Sequence, residues 1–203
     1  MRGPDSKWPN LPSLSIPSRG AMRSAPLSSE RVRLTPLEPM DAAELWNAVN
    51  GSRDYLQRWL PWVPFNTSLE ASQRYADACA ADWDAGRALR FGIRDQGSGA
   101  LLGVVGLDTC IHLHRSCDLG YWLKRDAAGK GIMTESASLC VRFALRRVGV
   151  HRIRCAAATD NYPSLAVIAR LNFRFEGIAR CAEYVDGRWI DHAVFSRLST
   201  DPE

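Results

Sequence analysis

The stretch "RDAAGKGIMTES", residues 125–136, joins an apolar segment to a long helical pattern, and its two glycines flank Lys130. Apolar residues recur at helical spacing over residues 133–148. The first turn of a helix carries unpaired backbone N–H groups and the positive end of the helix dipole. Because Gly129 and Gly131 lack Cβ atoms, a phosphate or diphosphate can approach this backbone closely. An ordinary left-handed turn before a helix would also explain both glycines.

The residues around this junction exclude two better-known phosphate motifs. A P-loop requires Ser or Thr directly after its Gly-Lys pair, but Gly131 follows Lys130. A dinucleotide-binding fingerprint requires a third glycine where Thr134 stands. The junction is therefore a different kind of anion site, or only a turn.

Length and composition bound the class of protein. The chain has 203 residues, of which 46% are hydrophobic and 24% charged, which is typical of one globular domain. It contains no apolar stretch of the ~20 residues that a membrane span requires and no secretory signal near its start. Six cysteines are scattered without a CxxC pair, which favours reduced thiols in a cytoplasmic protein and no metal site.

Charge is concentrated in the first 28 residues. The whole chain carries +4, whereas residues 1–28 hold four basic residues and one acidic residue, a net of +3, which leaves +1 for the remainder. No basic run interleaved with aromatic residues is present, so no nucleic-acid partner is expected. Residues 1–28 are rich in Pro and Ser and are predicted to be a flexible extension, with order beginning near Arg31 and one domain covering residues 29–203.

The period of the apolar residues predicts one α/β domain with a mixed sheet. Strands are expected at residues 31–37, 88–94, 100–107, 117–124, 152–159, 174–185 and 189–198. Two or three helices lie between the first two strands, and one helix lies on each side of the fifth. Asp186-Gly187 predicts a two-residue hairpin turn between the last two strands.

Four segments carry a resemblance to a known family: "GYWLKRDAAGKGIMTES" (120–136), "TDNYPSLAVIARLNFRFEG" (159–177), "AEYVDGRWIDH" (182–192) and "YLQRWLPWV" (55–63). Together they resemble the GNAT superfamily of acyl-CoA-dependent N-acyltransferases, especially its RimJ/RimL branch, which acetylates the N-termini of ribosomal proteins. The resemblance spans residues 31–198. It implies a mixed, mostly antiparallel sheet of six to seven strands flanked by helices, with the sheet splayed at its fourth strand.

The resemblance also implies acetyl-CoA as co-substrate, with its pyrophosphate on the glycine junction and its pantetheine arm along the splayed strand. The residues expected to bind it are Tyr121, Trp122, Leu123, Ala128, Gly129, Lys130, Gly131, Ile132, Met133, Thr134 and Asn161. Two positions depart from the family pattern. Asp126 replaces the usual Gln or Arg, so it either weakens CoA binding or points to solvent. Asn172 replaces a usual Gly, and Asn can also adopt the left-handed conformation.

Glu183 is the first candidate for the general base, because the resemblance places a functional Glu in "AEY". In the predicted hairpin, Val185 pairs with Arg188 and Glu183 with Ile190, which puts Glu183 on one face with Cys181, Ile190 and His192. A solvated carboxylate is the alternative. Asp118, at the start of the splayed strand, is the rival base and otherwise an acceptor-binding residue.

The donor to the leaving sulfur is Ser164 by the same resemblance, whereas the residues alone indicate that Asn161 caps a helix in which Ser164 follows. Tyr162 and Tyr184 rank lower as donors. Trp59 and Trp62 resemble an aromatic wall on the acceptor side, although a Trp pair is more often part of a core.

The implied activity is direct transfer of an acetyl group to a primary amine in a ternary complex, with a protein N-terminal α-amine as acceptor. The alternatives are an acetyltransferase for small amines, amino acids or antibiotics, and a non-catalytic CoA-binding protein. No membrane partner is expected, and the sequence leaves a homodimer open.

Overall fold

The computed structural model describes residues 13–202. Its strands form one sheet in the order β1-β2-β3-β4-β5-β6-β8-β7, and every neighbouring pair is antiparallel except β5 and β6, which are parallel. The strands are β1 Leu27–Ser28, β2 Val32–Pro36, β3 Leu89–Asp95, β4 Leu101–Ile111, β5 Ser116–Leu123, β6 Arg152–Ala158, β7 Arg174–Val185 and β8 Arg188–Leu198. This is the mixed, mostly antiparallel sheet that the sequence predicts. It has eight strands rather than six to seven, because the two-residue β1 pairs with β2.

Helices cover both faces of this sheet. They are α1 Arg19–Ser24, α2 Ala42–Asn50, α3 Arg53–Leu56, α4 Leu69–Asp84, α5 Ile132–Phe143 and α6 Tyr162–Arg170, and a π-helical turn extends α5 over Ala144–Val148. Successive residues of a strand point to opposite faces. Val104 accordingly packs in a cluster with residues of α2 and α4, whereas Val105 packs in the larger cluster that contains α5. No helix within residues 13–202 is long and apolar enough to cross a membrane.

The prediction that order begins near Arg31 is wrong for residues 13–28. Leu14 and Met22 are buried in the main core, and the indole N–H of Trp83 donates to the carbonyl of Pro17 at 2.9 Å. The composition is poor in apolar residues, but these few bury because they pack against the body of the domain. Residues 1–12 lie outside the described residues.

The sheet splays between β5 and β6. These two strands pair at only three positions, Ser116 with Arg152, Cys117 with Ile153 and Asp118 with Arg154. Beyond them β5 stays paired with β4 as far as Leu123, and β6 with β8 as far as Ala158. Residues 119–123 therefore have no partner strand on the β6 side, which confirms the splay that the resemblance implies.

The β7–β8 hairpin has the predicted register. Val185 pairs with Arg188 and Glu183 with Ile190, and Asp186 and Gly187 both have positive φ, 50° and 77°. Such a turn matches the twist of the strands that it joins.

One part of the predicted hairpin face is wrong. The register of β7 against β8 shifts between Ala179 and Glu183, and Cys181 lies there in the left-handed region with φ 48°. Because of this bulge, the simple alternation that placed Cys181 beside Glu183 does not apply.

Candidate active site

A cleft of about 830 Å³ opens where β5 and β6 separate. Its walls come from β5, the glycine turn and first turns of α5, the start of α6, and the chain around α3. Twelve residues of the predicted site line it: Trp59, Tyr121, Trp122, Leu123, Ala128, Gly129, Gly131, Ile132, Met133, Thr134, Asn161 and Ser164. The structure thus brings most of the expected co-substrate residues into one cavity.

The glycine turn presents bare backbone to this cleft. Gly129 and Gly131 have φ values of 75° and 77°, a left-handed conformation that residues with a side chain rarely adopt. A Cβ on Gly129 would meet no heavy atom within 4 Å, so the space beside it is open. Gly131 is the N-cap of α5 and has no capping side chain. The unpaired N–H groups of the first helical turn are therefore available to a diphosphate, and these residues fit that group.

An ion pair that the sequence does not reveal ties this turn to the residues between β1 and β2. The Arg31 guanidinium donates to the carbonyl of Lys130 at 2.9 Å and, through Nε, to Oε2 of Glu135 at 2.7 Å. Ser29 donates its hydroxyl to the same carboxylate. Burial alone would raise the pKa of Glu135, but these hydrogen bonds outweigh it and lower the pKa. The backbone of Lys130 is thus held in place, while its side chain is not part of the cleft wall.

The two residues that depart from the family pattern, Asp126 and Asn172, lie outside the cleft wall. The side chain of Asp126 is 74% exposed, lies 3.5 Å from the Lys124 ammonium, and is not part of the cleft wall. Asn172 has φ 59° and ends α6 in the left-handed conformation, as predicted.

Ser164 lies in the first turn of α6 and reaches β5 across the splay. Asn161 caps the helix by accepting a hydrogen bond from the Ser164 N–H at 3.3 Å, so the structural interpretation of Asn161 is confirmed. Its cleft position is also compatible with a co-substrate contact. The hydroxyls of Tyr121 and Ser164 are 2.9 Å apart. Burial raises the pKa of Tyr121 well above its usual value, so this hydroxyl stays neutral.

Trp59 connects the cleft to the β7–β8 hairpin. It lines the cleft and packs, partly buried, against a small cluster of Ala158, Val185 and Ile190. Glu183 pairs with Ile190 in this hairpin. Its Oε2 lies 3.5 Å from Nε2 of His192, although Glu183 itself is not part of the cleft wall.

The other predicted acceptor-side residues lie outside the cleft wall. Trp62 stacks parallel to Tyr75 and lies 6.0 Å, ring to ring, from the cleft residue Trp122. The exposed Tyr184 packs edge-on against Trp189. The Asp118 carboxylate lies 3.6 Å from the Arg154 guanidinium, at the last position where β5 pairs with β6.

The five cysteines other than the exposed Cys181 lack the features of a nucleophile. All six are free, and burial raises the pKa of Cys110 to about 11 and of Cys155 to about 12. A thiol with such a pKa carries almost no thiolate near neutrality. Across residues 13–202, no group of three or more His, Cys, Asp or Glu side chains is arranged to hold a metal ion.

The fold and the cleft are those of an acetyltransferase. Residues 31–174 match the acetyltransferase (GNAT) domain family, so the chain belongs to the GNAT family of N-acetyltransferases.

Relatives and solved structures resemble it over most of its length. The [ribosomal protein uS5]-alanine N-acetyltransferase of Escherichia coli (strain K12) is 27% identical over an alignment of 187 residues, which covers 86% of this chain and 91% of the relative. The solved structure of RimL, a ribosomal L7/L12 alpha-N-protein acetyltransferase in complex with coenzyme A, has a TM-score of 0.80 and 26% identity, with coverage of 84% and 95%. Mycobacterium smegmatis RimJ in complex with CoA-disulfide has a TM-score of 0.77 and 27% identity, with coverage of 82% and 81%.

Proposed function

We propose that this protein transfers the acetyl group of acetyl-CoA to the N-terminal α-amine of a ribosomal protein. The observation that carries the proposal is the single cleft in which the splayed strand, the glycine turn and Ser164 meet. The names of its relatives support the acceptor, because they include enzymes for ribosomal proteins uS5 and L7/L12. The scattered free cysteines and a ribosomal acceptor favour the cytoplasm as its location.

In this proposal the co-substrate supplies an activated acetyl thioester, and the chain supplies binding and proton handling. The first-turn N–H groups after Gly131 hold the diphosphate. The unpaired edge of β5 at residues 119–123 gives the pantetheine amides a strand to pair with, and it offers N–H donors to an oxyanion. Trp59 forms part of the acceptor wall.

Two residues of the chain assist the reaction, one by accepting a proton and the other by donating a hydrogen bond. Glu183 accepts the proton that the attacking amine loses, directly or through water, with Asp118 as the rival base. Ser164 donates a hydrogen bond to the sulfur as the carbon–sulfur bond breaks. Trp62 and Tyr184 lie farther out, where they would contact the acceptor beyond its first residue.

A small-amine acceptor is the second candidate. The spermidine N(1)-acetyltransferase of Escherichia coli (strain K12) is 22% identical over 162 residues. The ribosomal-protein enzymes match more of the chain at higher identity, so they are favoured. A catalytically inactive CoA-binding protein is not favoured, because Asp126 and Asn172, the residues that suggested it, are compatible with the site.

The test is an acceptor panel. Purified protein is incubated with acetyl-CoA and N-terminal peptides of ribosomal proteins, spermidine or free amino acids, and thiol release and acetylated product are measured. We expect at least one ribosomal peptide to react on its α-amine with a kcat/KM at least tenfold above that of any small amine. The reverse order would contradict the proposed acceptor, and no thiol release with any amine would contradict the enzyme.

The proposed base is tested in the same assay by Glu183→Gln. We expect kcat to fall by roughly 10²-fold, the usual contribution of a general base, with the Kd for CoA unchanged. Asp118→Asn is the matched comparison for the rival base. If Glu183→Gln stays within twofold of the parent while Asp118→Asn does not, the roles are reversed.

A further inference from the structure

The hydroxyl of Tyr121 bridges the two sides of the splay. Tyr121 lies on β5, within the segment that has lost its partner strand, and Ser164 lies on α6, which follows β6. The Tyr121 hydroxyl is 2.9 Å from the Ser164 hydroxyl and 3.2 Å from the Ser164 carbonyl oxygen. Both side chains line the cleft. This contact therefore joins β5 to Ser164, the proposed hydrogen-bond donor to the leaving sulfur.

The Tyr121 hydroxyl has one proton and three possible partners within reach, which are the Ser164 hydroxyl, the Ser164 carbonyl and the Cys155 thiol. The sulfur of a thiol is only a weak hydrogen-bond acceptor. The carbonyl of Ser164 lies in a helix, where the N–H four residues later is its usual partner. The Ser164 hydroxyl is the nearer acceptor, and a serine hydroxyl that accepts a hydrogen bond keeps its own proton for another partner. When Tyr121 donates to Ser164, the Ser164 proton is thus free to point into the cleft. Burial of Tyr121 supports this role, because it keeps the phenol protonated.

We propose that Tyr121 is a positioning residue for Ser164: it donates to the Ser164 hydroxyl and so directs the Ser164 proton toward the leaving sulfur. The inference rests on the proposed function and deepens it. A negative charge developing in the cleft would strengthen both hydrogen bonds of the chain, since linked hydrogen bonds polarise one another. Tyr121 therefore contributes more as the thioester bond breaks than in the resting enzyme.

In the transfer step a carbon–nitrogen bond forms and the carbon–sulfur bond of the thioester breaks. The amine nitrogen bonds to the thioester carbon and loses one proton to Glu183. The carbon–sulfur bond then breaks, its electron pair goes to sulfur, and the Ser164 hydroxyl stabilises the thiolate by donating a hydrogen bond to it. The thiolate takes up one proton from water in the open cleft, Glu183 releases one to water, and Ser164 and Tyr121 keep their own protons throughout.

The experiment is a double-mutant cycle on kcat with the best acceptor of the panel. We expect Ser164→Ala to lower kcat by roughly 10²-fold and Tyr121→Phe by about tenfold. In the Ser164→Ala background, Tyr121→Phe is expected to change kcat less than twofold, because the group that it positions is gone. The KM for acetyl-CoA and the calorimetric Kd for CoA should stay within twofold in Tyr121→Phe.

Tyr162→Phe is the matched control. Tyr162 begins the same helix but is 74% exposed and is not part of the cleft wall. This position does not support the lower-ranked expectation of a donor at Tyr162, so removal of its hydroxyl should leave kcat unchanged. A tenfold loss from Tyr121→Phe in both backgrounds would overturn the inference, because the two hydroxyls would then act independently. A loss that appears only in CoA affinity, or no loss at all, would also overturn it. Absence of turnover in the parent enzyme would instead contradict the proposed function itself.

Discussion

Gly131 is a residue whose backbone conformation and position in the cleft both bear on co-substrate binding. It caps α5 at φ 77°, a conformation that costs an alanine roughly 1–2 kcal/mol. An added Cβ would lie 3.5 Å from the Arg31 guanidinium, an ordinary contact, so backbone strain rather than collision within the protein sets the effect on folding. The same Cβ would stand beside the N–H groups to which we assign the diphosphate.

We therefore expect Gly131→Ala to lower the free energy of unfolding by about 1 kcal/mol and to raise the Kd for CoA at least tenfold. Urea denaturation and calorimetry measure the two effects. Asp126→Asn is the control three residues before the first glycine, and it should change the Kd less than twofold, because Asp126 is not part of the cleft wall. Equal affinities of parent and Gly131→Ala would contradict the diphosphate site.

Individual residues also mark where sequence reasoning ended. The glycine junction was readable because two glycines before a helical pattern have few physical explanations. The pairing of Arg31 with Glu135 was not readable, since these residues are 104 positions apart and only the folded sheet brings them together. The left-handed Cys181 gave no signal either, because nothing in its side chain indicates a bulge.

Among the elements, α1 is the one that composition misjudged. Its residue Met22 is only 1% exposed and packs in the main core, in a segment that looks too polar and Pro-rich to fold. The bounds of β7 were predicted to the residue, because the hairpin turn and the strand period agree there. The residues of β7 and its turn were thus enough to predict that strand. They were not enough for α1, because α1 is ordered by packing against residues far away in the sequence.

We expect Met22→Ala to destabilise the protein by about 2–5 kcal/mol, the usual cost of truncating a buried methionine. The matched control is Met40→Ala, because Met40 is 82% exposed and its truncation should cost less than about 0.5 kcal/mol. Denaturant unfolding of both variants gives the comparison. Equal costs would mean that α1 does not pack on the domain in solution.

Across the whole molecule, the strands beyond the splay are joined by an ion pair that makes stability depend on acid. Arg152 on β6 donates hydrogen bonds from both terminal guanidinium nitrogens to the Glu176 carboxylate on β7, each at 2.6 Å. The hydroxyl of Ser196 on β8 donates to the same carboxylate at 2.7 Å. The hydrogen bonds from Arg152 and then Ser196 lower the pKa of Glu176 from its ordinary 4.5 to about 2. Both side chains of the ion pair are 36% exposed, so solvent limits its worth to about 1 kcal/mol or less.

A carboxylate with a lowered pKa contributes stability above its unfolded-state pKa and loses it as the pH falls through its folded-state pKa. The melting temperature of the parent should therefore decline between pH 4.5 and 2 more steeply than that of Glu176→Gln. Glu30→Gln, at an exposed glutamate, serves as the control and should follow the parent. Parallel curves for the parent and Glu176→Gln would remove Glu176 from the acid response.

Only three residue pairs join β5 to β6. An ordinary sheet has two outer edges, whereas this one has two more in its interior, where β5 and β6 separate beyond those pairs. Open edges invite pairing with foreign chains, which leads to aggregation. Because β5 and β6 stay paired at residues 116–118, another sheet cannot insert between them, whereas a single extended chain can. The unpaired backbone amides of these interior edges can therefore bind a small extended ligand, but they cannot pair with the edge of another sheet.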